Sequence, residues 1–227
     1  MQTAYHPVFG GKVPFRFDWL PDSPDGQVRG AVHRVIAYMR EDAKSPMIRE
    51  DVGRALELGA GDPLIGTWKL VKPLMQFQRD EKTAAQLETD DPRIPDTVEV
   101  FIRPVDQSFL IKLRGMGVED CDGYVMYAGC ILLAMRMPIA LVTVAADKTD
   151  PTRFSHIYLA AYPDGFGSAK KRIALDLSHG PYPGWECPNL GRLKEWPVQY
   201  TAPEHFLKLA VTLGLLSGVY FGLRRIT

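Results

Sequence analysis

Apolar positions recur at a helical period in the first eighty residues. Val32, Val35, Ile36 and Met39 predict a helix over 28–41, and a second short helix is predicted over 48–58. Ile65, Trp68, Val71, Leu74 and Met75 share one face of a third, over 64–77. Residues 79–96 break the pattern with charge and with Asp90-Asp91-Pro92 and Ile94-Pro95-Asp96, and read as a solvated loop before a short strand over 98–102. An apolar run over 124–137, closed by Pro138, then predicts a helix with almost no polar face. The run over 139–146 is nearly all apolar, as buried strands are. A turn over 147–151, a strand over 154–162, a hairpin connection over 163–169 and a returning strand over 172–178 follow.

Residues 1–26 are rich in Pro, Gly and aromatic side chains (Tyr5, Phe9, Phe15, Phe17, Trp19) and close with Pro21-Asp22-Ser23-Pro24-Asp25-Gly26, so they read as an irregular arm ending in turns. The chain divides into that arm, a domain over 27–200 (helical part 27–90, core 97–180) and an apolar segment over 203–225. Its 227 residues, 46% apolar, are enough to bury a substantial core in one such domain. Lys plus Arg and Asp plus Glu each number 27, so the formal net charge is zero. That argues against a dedicated nucleic-acid binder, which needs a basic face to neutralise phosphates, and Lys170-Lys171-Arg172 reads as a solvated hairpin tip. The first 17 residues lack the basic and apolar regions of a secretory signal. Three cysteines without paired spacing do not make a disulfide framework, and no Cys-x-x-Cys or His-x-x-x-His pattern points to a metal. Free thiols in a reducing compartment are expected.

The candidate chemistry begins at Gly117-Val118-Glu119-Asp120-Cys121-Asp122-Gly123. This stretch sets a thiol at a helix N-terminus, where the dipole and free backbone N–H groups stabilise a thiolate. The neighbouring acids work against ionisation, so reactivity would depend on an imidazole partner. His156 and Asp176 follow on strand-like segments, completing the order nucleophile, base and orienter. His156 lies ten residues before Phe166 and Asp176 ten after it, so a hairpin centred on Phe166 would put the two directly opposite, with Cβ atoms about 4.5–5.5 Å apart. Alternation puts Ile157, Leu159, Ile173, Leu175 and Leu177 on the other face. Cys130 reads as a structural residue of an apolar helix, Cys187 as a loop thiol that is at most a reactive bystander, and His179 as a rim residue at a strand end. Gly165-Phe166-Gly167-Ser168-Ala169-Lys170 lacks the strand and helix that flank a phosphate loop and reads as a turn.

Together these residues resemble the transglutaminase-like superfamily of papain-type cysteine enzymes, especially its shorter bacterial and bacteriophage members. The likeness spans roughly 68–196. It rests on Trp68, Phe77-Gln78-Arg79-Asp80, Val98-Glu99-Val100-Phe101-Ile102-Arg103-Pro104, Asp120-Cys121-Asp122 heading a helix, Ser155-His156-Ile157-Tyr158 and Ala174-Leu175-Asp176. Members commonly carry Gly-Asp-Cys-Asp-Asp at the nucleophile, whereas Glu119 and Gly123 flank the kernel here. The resemblance implies an α+β fold of papain-like architecture: a helical N-terminal half and a central Cys-bearing helix packed on a small antiparallel sheet. It also implies Cys121 as nucleophile, His156 as base, Asp176 as orienter, and an oxyanion hole of the Cys121 backbone N–H with Gln107 or a neighbour as second donor. The chemistry implied is acyl transfer on a peptide or protein amide through a thioester, with no cofactor and no metal. The alternative is a non-catalytic module, such as a virion or assembly component, that keeps the fold for binding. A cytoplasmic or virion-associated location would suit either.

The segment 203–225 predicts a last helix, in which Gly214, Gly218 and Gly222 recur every four residues and no polar face exists. Glycine costs a helix interior about 1 kcal/mol relative to alanine, which close approach of another helix could offset. Residues 206–223 would span about 27 Å at 1.5 Å per residue, just short of a typical ~30 Å hydrocarbon core. Helix packing within the chain or in a homo-oligomer is therefore the expectation, and membrane contact the alternative. Truncation after Pro203 is expected to change the assembly state or membrane partitioning and to leave the chemistry of Cys121 intact. Unchanged light scattering and vesicle sedimentation would count against both roles.

Overall fold

The computed structural model describes residues 2–6, 9–18, 23–86, 99–166 and 172–198. It is a mixed helix and sheet protein. Three early helices start where a capping residue is followed by proline. Ser23 precedes α1 (Pro24–Asp42), Ser45 precedes α2 (Pro46–Leu58) and Asp62 precedes α3 (Pro63–Val71). Each cap side chain accepts a backbone N–H of the first turn, and proline at the first helical position loses no hydrogen bond. The helices thus begin one to four residues before the apolar stripes that predicted them. The third ends earlier than expected: after α3 a turn containing Pro73, which has no N–H to donate to the ladder, leads into strand β3 (Met75–Phe77).

Two other expectations are corrected. The supposed N-terminal arm is a hairpin, β1 (Gln2–His6) and β2 (Gly11–Asp18), turned at Phe9-Gly10 and continued by pairing of β2 with β4 (Glu99–Phe101). Period-two burial of Val13 and Phe15 explains it, for they join Ala4, Phe9, Val100, Ile102, Leu110 and Val118 in a small core that the dense Pro and Gly content obscured. The expected loop over 79–96 begins with a short helix, α4 (Asp80–Gln86), and its remainder lies outside the described residues. Three elements fall where none was predicted, α5 (Pro104–Arg114), closed by Gly115 at φ 81°, β5 (Gly117–Glu119) and β9 (Leu193–Val198). β9 carries Lys194, Glu195 and Pro197, and proline is tolerated there because β9 is an edge strand.

The core forms around α6 (Cys121–Ala134). Residues 122–133 are all buried, against α1, α2 and α3 and against the four-stranded antiparallel sheet β8-β7-β6-β9, in which β6 is Ile139–Val144, β7 His156–Ala161 and β8 Ile173–Leu175. Each large apolar side chain so buried contributes about 1.5–3 kcal/mol. β6 is buried throughout because Ile139 and Leu141 face that core while Val142 and Val144 join Tyr158, Ala160 and Ala174 on the reverse side. A last parallel pair joins β3 to β5 (Gly117–Glu119), which runs directly into α6. The predicted helix over 203–225 lies outside the described residues, among which no helix is long and apolar enough to cross a membrane.

Where α2 meets α3, a Cβ placed on Gly66 would lie 1.9 Å from the Ala55 carbonyl oxygen, so only glycine allows that approach. Gly53, inside α2, meets nothing within 4 Å. Gly66→Ala should therefore destabilise by roughly 1–3 kcal/mol. Gly53→Ala should stabilise by up to ~1 kcal/mol through helix propensity, as read by urea denaturation.

Candidate functional site

The N-terminus of α6 is fixed from below by β5. Pairing of Met75 with Gly117 and Phe77 with Glu119 sets its register, and Gln78 N–H donates to the Glu119 carbonyl at 3.0 Å. Asp120 is extended and caps the helix, its Oδ1 accepting the Asp122 N–H at 3.0 Å. Cys121 is then the first helical residue and is partly exposed. Glu119 is fully buried, with Oε1 accepting the Ile102 N–H at 2.8 Å. A Cβ on Gly123 would stand 2.3 Å from the Glu119 Cβ. The two positions flanking the Asp-Cys-Asp kernel are thus a packed pair, in which a buried glutamate occupies the space that a side chain at 123 would need.

His156 opens β7. Just before it, Ser155 Oγ accepts the N–H groups of Ala146 and Asp147, both at 3.0 Å, which ties the chain entering β7 to the chain leaving β6. His156 Nε2 and Asp176 Oδ2 are 2.8 Å apart. Asp176 Oδ1 accepts the Ser178 hydroxyl at 3.1 Å and the His179 N–H at 3.0 Å. An ionised Asp176 requires the proton on Nε2, which leaves Nδ1 as the nitrogen that Asp176 does not engage.

The hairpin register differs from the expected one. Leu159 pairs with Leu175 and Ala161 with Ile173, so the ladder is displaced by two residues from the register that a centre at Phe166 would give. Tyr158, not His156, holds the position opposite Asp176, and His156 is its diagonal neighbour. Because the net offset is two residues, an even number, both side chains keep the same face. Diagonal Cβ atoms lie about 7–8 Å apart, within reach of an imidazole.

Cys121 and His156 line one cleft, together with Ser155, Glu99 and Asp120. One end is bounded by Gln27 and Arg153, the other by Asp80, Trp185 and Cys187. The His179 ring meets His156 edge-on at 4.7 Å between centroids. Gln107 is not among the lining residues: it is fully buried on α5, where its Nε2 donates to the Val118 carbonyl at 3.2 Å. That places the suggested second oxyanion donor in the interior, committed to β5. Cys187 stands closer than a bystander would, its thiol within 4.8 Å of donor atoms of both His156 and Asp176. Cys130 is buried in the main core. Gln27, His179 and Cys187 come to the cleft from distant stretches, and no spacing in the sequence could have gathered them.

The electrostatics are those of an acid-rich, partly dry site. Burial and the Asp120 carboxylate push the Cys121 thiol well above its ordinary pKa, against a hydrogen bond from the Ile157 N–H. Cys187 is pushed up to about 11 by burial, with Asp176 and Glu186 adding to it. Burial and the charge of His156 lower His179. Burial also works against the Asp176 carboxylate, but the His156 hydrogen bond and charge and the His179 N–H together hold it below the ordinary value. The resting thiol is therefore neutral at pH 7, and a nucleophile here needs the imidazole to remove its proton as it attacks. No protein-family model, curated protein or solved structure matches the chain significantly.

A carboxylate depressed in the folded state stabilises the fold fully above its unfolded pKa of about 4, and that contribution is lost as pH falls through the lower folded value. Wild type should lose stability on acidification below about pH 4. Asp176→Asn should lose less over the same window while being less stable at pH 7, as measured by denaturant midpoints.

Proposed function

We propose that the chain is a cysteine-dependent acyl-transfer enzyme of transglutaminase-like type, with a papain-like core, acting on peptide or protein amides. The observation that carries this reading is the 2.8 Å contact between His156 and Asp176 at a cleft that also holds Cys121. An imidazole oriented by a buried carboxylate beside a thiol is the minimal equipment for a covalent thioester mechanism.

His156 Nδ1 takes the Cys121 proton as Sγ bonds to the amide carbonyl carbon, and Asp176 stabilises the imidazolium. The oxyanion is met by the Cys121 backbone N–H, one of the donors a helix N-terminus leaves unpaired. Collapse breaks the C–N bond, and the imidazolium returns its proton to the departing amine. Water then gives the acid, or a second amine gives a new amide, and Cys121 and His156 recover their starting forms. Neither step needs a cofactor or a metal.

The elevated thiol pKa favours a second reading, a binding module that keeps the arrangement without catalysis, and thiol reactivity separates the two. In the enzyme, limiting iodoacetamide at neutral pH labels Cys121 before Cys187 and Cys130, and His156→Ala slows that labelling by at least about tenfold. Cys121→Ala abolishes turnover of a peptide and isopeptide panel without lowering the unfolding midpoint. Labelling of Cys187 first, dependent on His156, would transfer the nucleophile's role to Cys187. An inert Cys121 in a folded chain would assign the binding module.

A further inference from the structure

A second imidazole stands at the cleft and has no part in the proton transfers described above. His179 lines the cleft with Cys121 and His156, its ring edge-on to the His156 ring at 4.7 Å between centroids. The turn after β8 holds it in place. Gly180 N–H donates to the Asp176 carbonyl at 2.8 Å, Lys72 Nζ donates to the Ser178 carbonyl at 3.3 Å, and the Phe77 ring meets the His179 ring at 5.0 Å between centroids. Hydrogen bonding also fixes the tautomer. The ionised Asp176 only accepts, so the Ser178 hydroxyl donates its single proton to Oδ1. Ser178 Oγ lies 2.9 Å from His179 Nδ1 and must accept there, which puts the ring proton on Nδ1 and leaves a lone pair on Nε2. Partial burial, then the charges of His156, Lys72 and Arg79 against that of Asp176, lower the His179 pKa, so the ring is neutral at pH 7.

We propose that His179 Nε2 is the base that deprotonates an ammonium acyl acceptor, so that the acyl group leaves Cys121 for a primary amine. This rests on the acyl-transfer reading and assigns its second half. A thioester hydrolysed by water needs one base, since the proton that water loses returns through His156 to the sulfur. A primary alkyl amine arrives as an ammonium ion, its pKa being about 10, and must lose two protons to become an amide nitrogen. His156 carries only one of them. The ammonium gives its first proton to His179 Nε2, and the neutral amine nitrogen then bonds to the thioester carbonyl carbon. His156 Nδ1 takes the second proton and passes it to Cys121 Sγ as the C–S bond breaks. The new amide departs, and His179, which is exposed, releases its proton to water. The cleft suits a cation, because Asp80, Glu99, Asp120 and Asp147 line it against a single guanidinium, that of Arg79.

In full-length protein p-nitrophenyl acetate, an activated ester, loads Cys121 with an acetyl group that mass spectrometry detects after acid quench. Discharge is then timed with n-butylamine, an ammonium ion at neutral pH, with hydroxylamine, uncharged there, and with water alone. His179→Asn keeps an N–H donor for Ser178 Oγ and removes the base. At pH 7 it should slow discharge to butylamine by at least about tenfold, while discharge to hydroxylamine and to water is unchanged. The deficit should close as pH approaches the amine's own pKa of about 10, where the acceptor needs no base. A merely structural role would slow all three acceptors alike. That result, or full-rate discharge to butylamine at pH 7, overturns the role of His179 and leaves the acyl-transfer reading in place. Failure of the wild type to form acetyl-Cys121 overturns that reading, and the proposal with it.

Discussion

The burial of α6 is the constraint on which the rest of the structure depends. Twelve consecutive residues, 122–133, are buried, so the helix has no face to give to water and must be covered on every side. One side is supplied by α1, α2 and α3, the other by the β7 and β6 side of the sheet. Close approach is built in at Gly129, where a Cβ would stand 2.6 Å from the Met39 Cε. Of the first turn only Cys121 is partly exposed.

That first turn carries an unusual electrostatic load. A helix N-terminus attracts carboxylates through its dipole, and Asp120 uses this as a cap. Glu119, Asp122, Asp80 and Glu99 gather round the same point, and burial raises the pKa of Glu119, Asp122 and Asp80 well above the ordinary carboxylate range. For Glu119 the structural role is clear, since it anchors the Ile102 N–H and packs on Gly123. Burial, reinforced by the Asp120 carboxylate, holds the Cys121 thiol neutral. A nucleophilic role for this sulfur would therefore rest on the imidazole rather than on a preformed thiolate.

The sheet supplies the angular precision. Ser155 fixes the entry to β7, and Asp176 is held by three donors just past the end of β8. On the reverse face Arg172 bonds Glu186 and Glu195, which also accept the hydroxyls of Tyr158 and Tyr162, so β8 is fastened to β7 and β9. A shift of one residue would have turned His156 or Asp176 to the wrong face, whereas the two-residue difference costs only a longer reach.

The sequence by itself determined the elements whose signals are local. Apolar periodicity located α1, α2, α6, β6 and β7, and the Ser-Pro and Asp-Pro pairs held the starts of α1, α2 and α3. Parity of spacing in the hairpin placed His156 and Asp176 on one face, because side-chain direction along a strand depends on odd or even position alone. Only the tertiary structure decided the rest. β9 and the N-terminal hairpin are strands because partners elsewhere accept their backbone groups, despite prolines that argue locally against it. The register of β7 on β8 followed from core packing rather than from the centre of the turn sequence. The packing of Glu119 on Gly123, the removal of Gln107 to the interior, the approach of Cys187 to His156 and the meeting of Asp80, Glu99 and Asp120 all join residues from separate elements. A linear pattern records which face a residue takes but not what will stand opposite it, since that depends on how the layers close over α6.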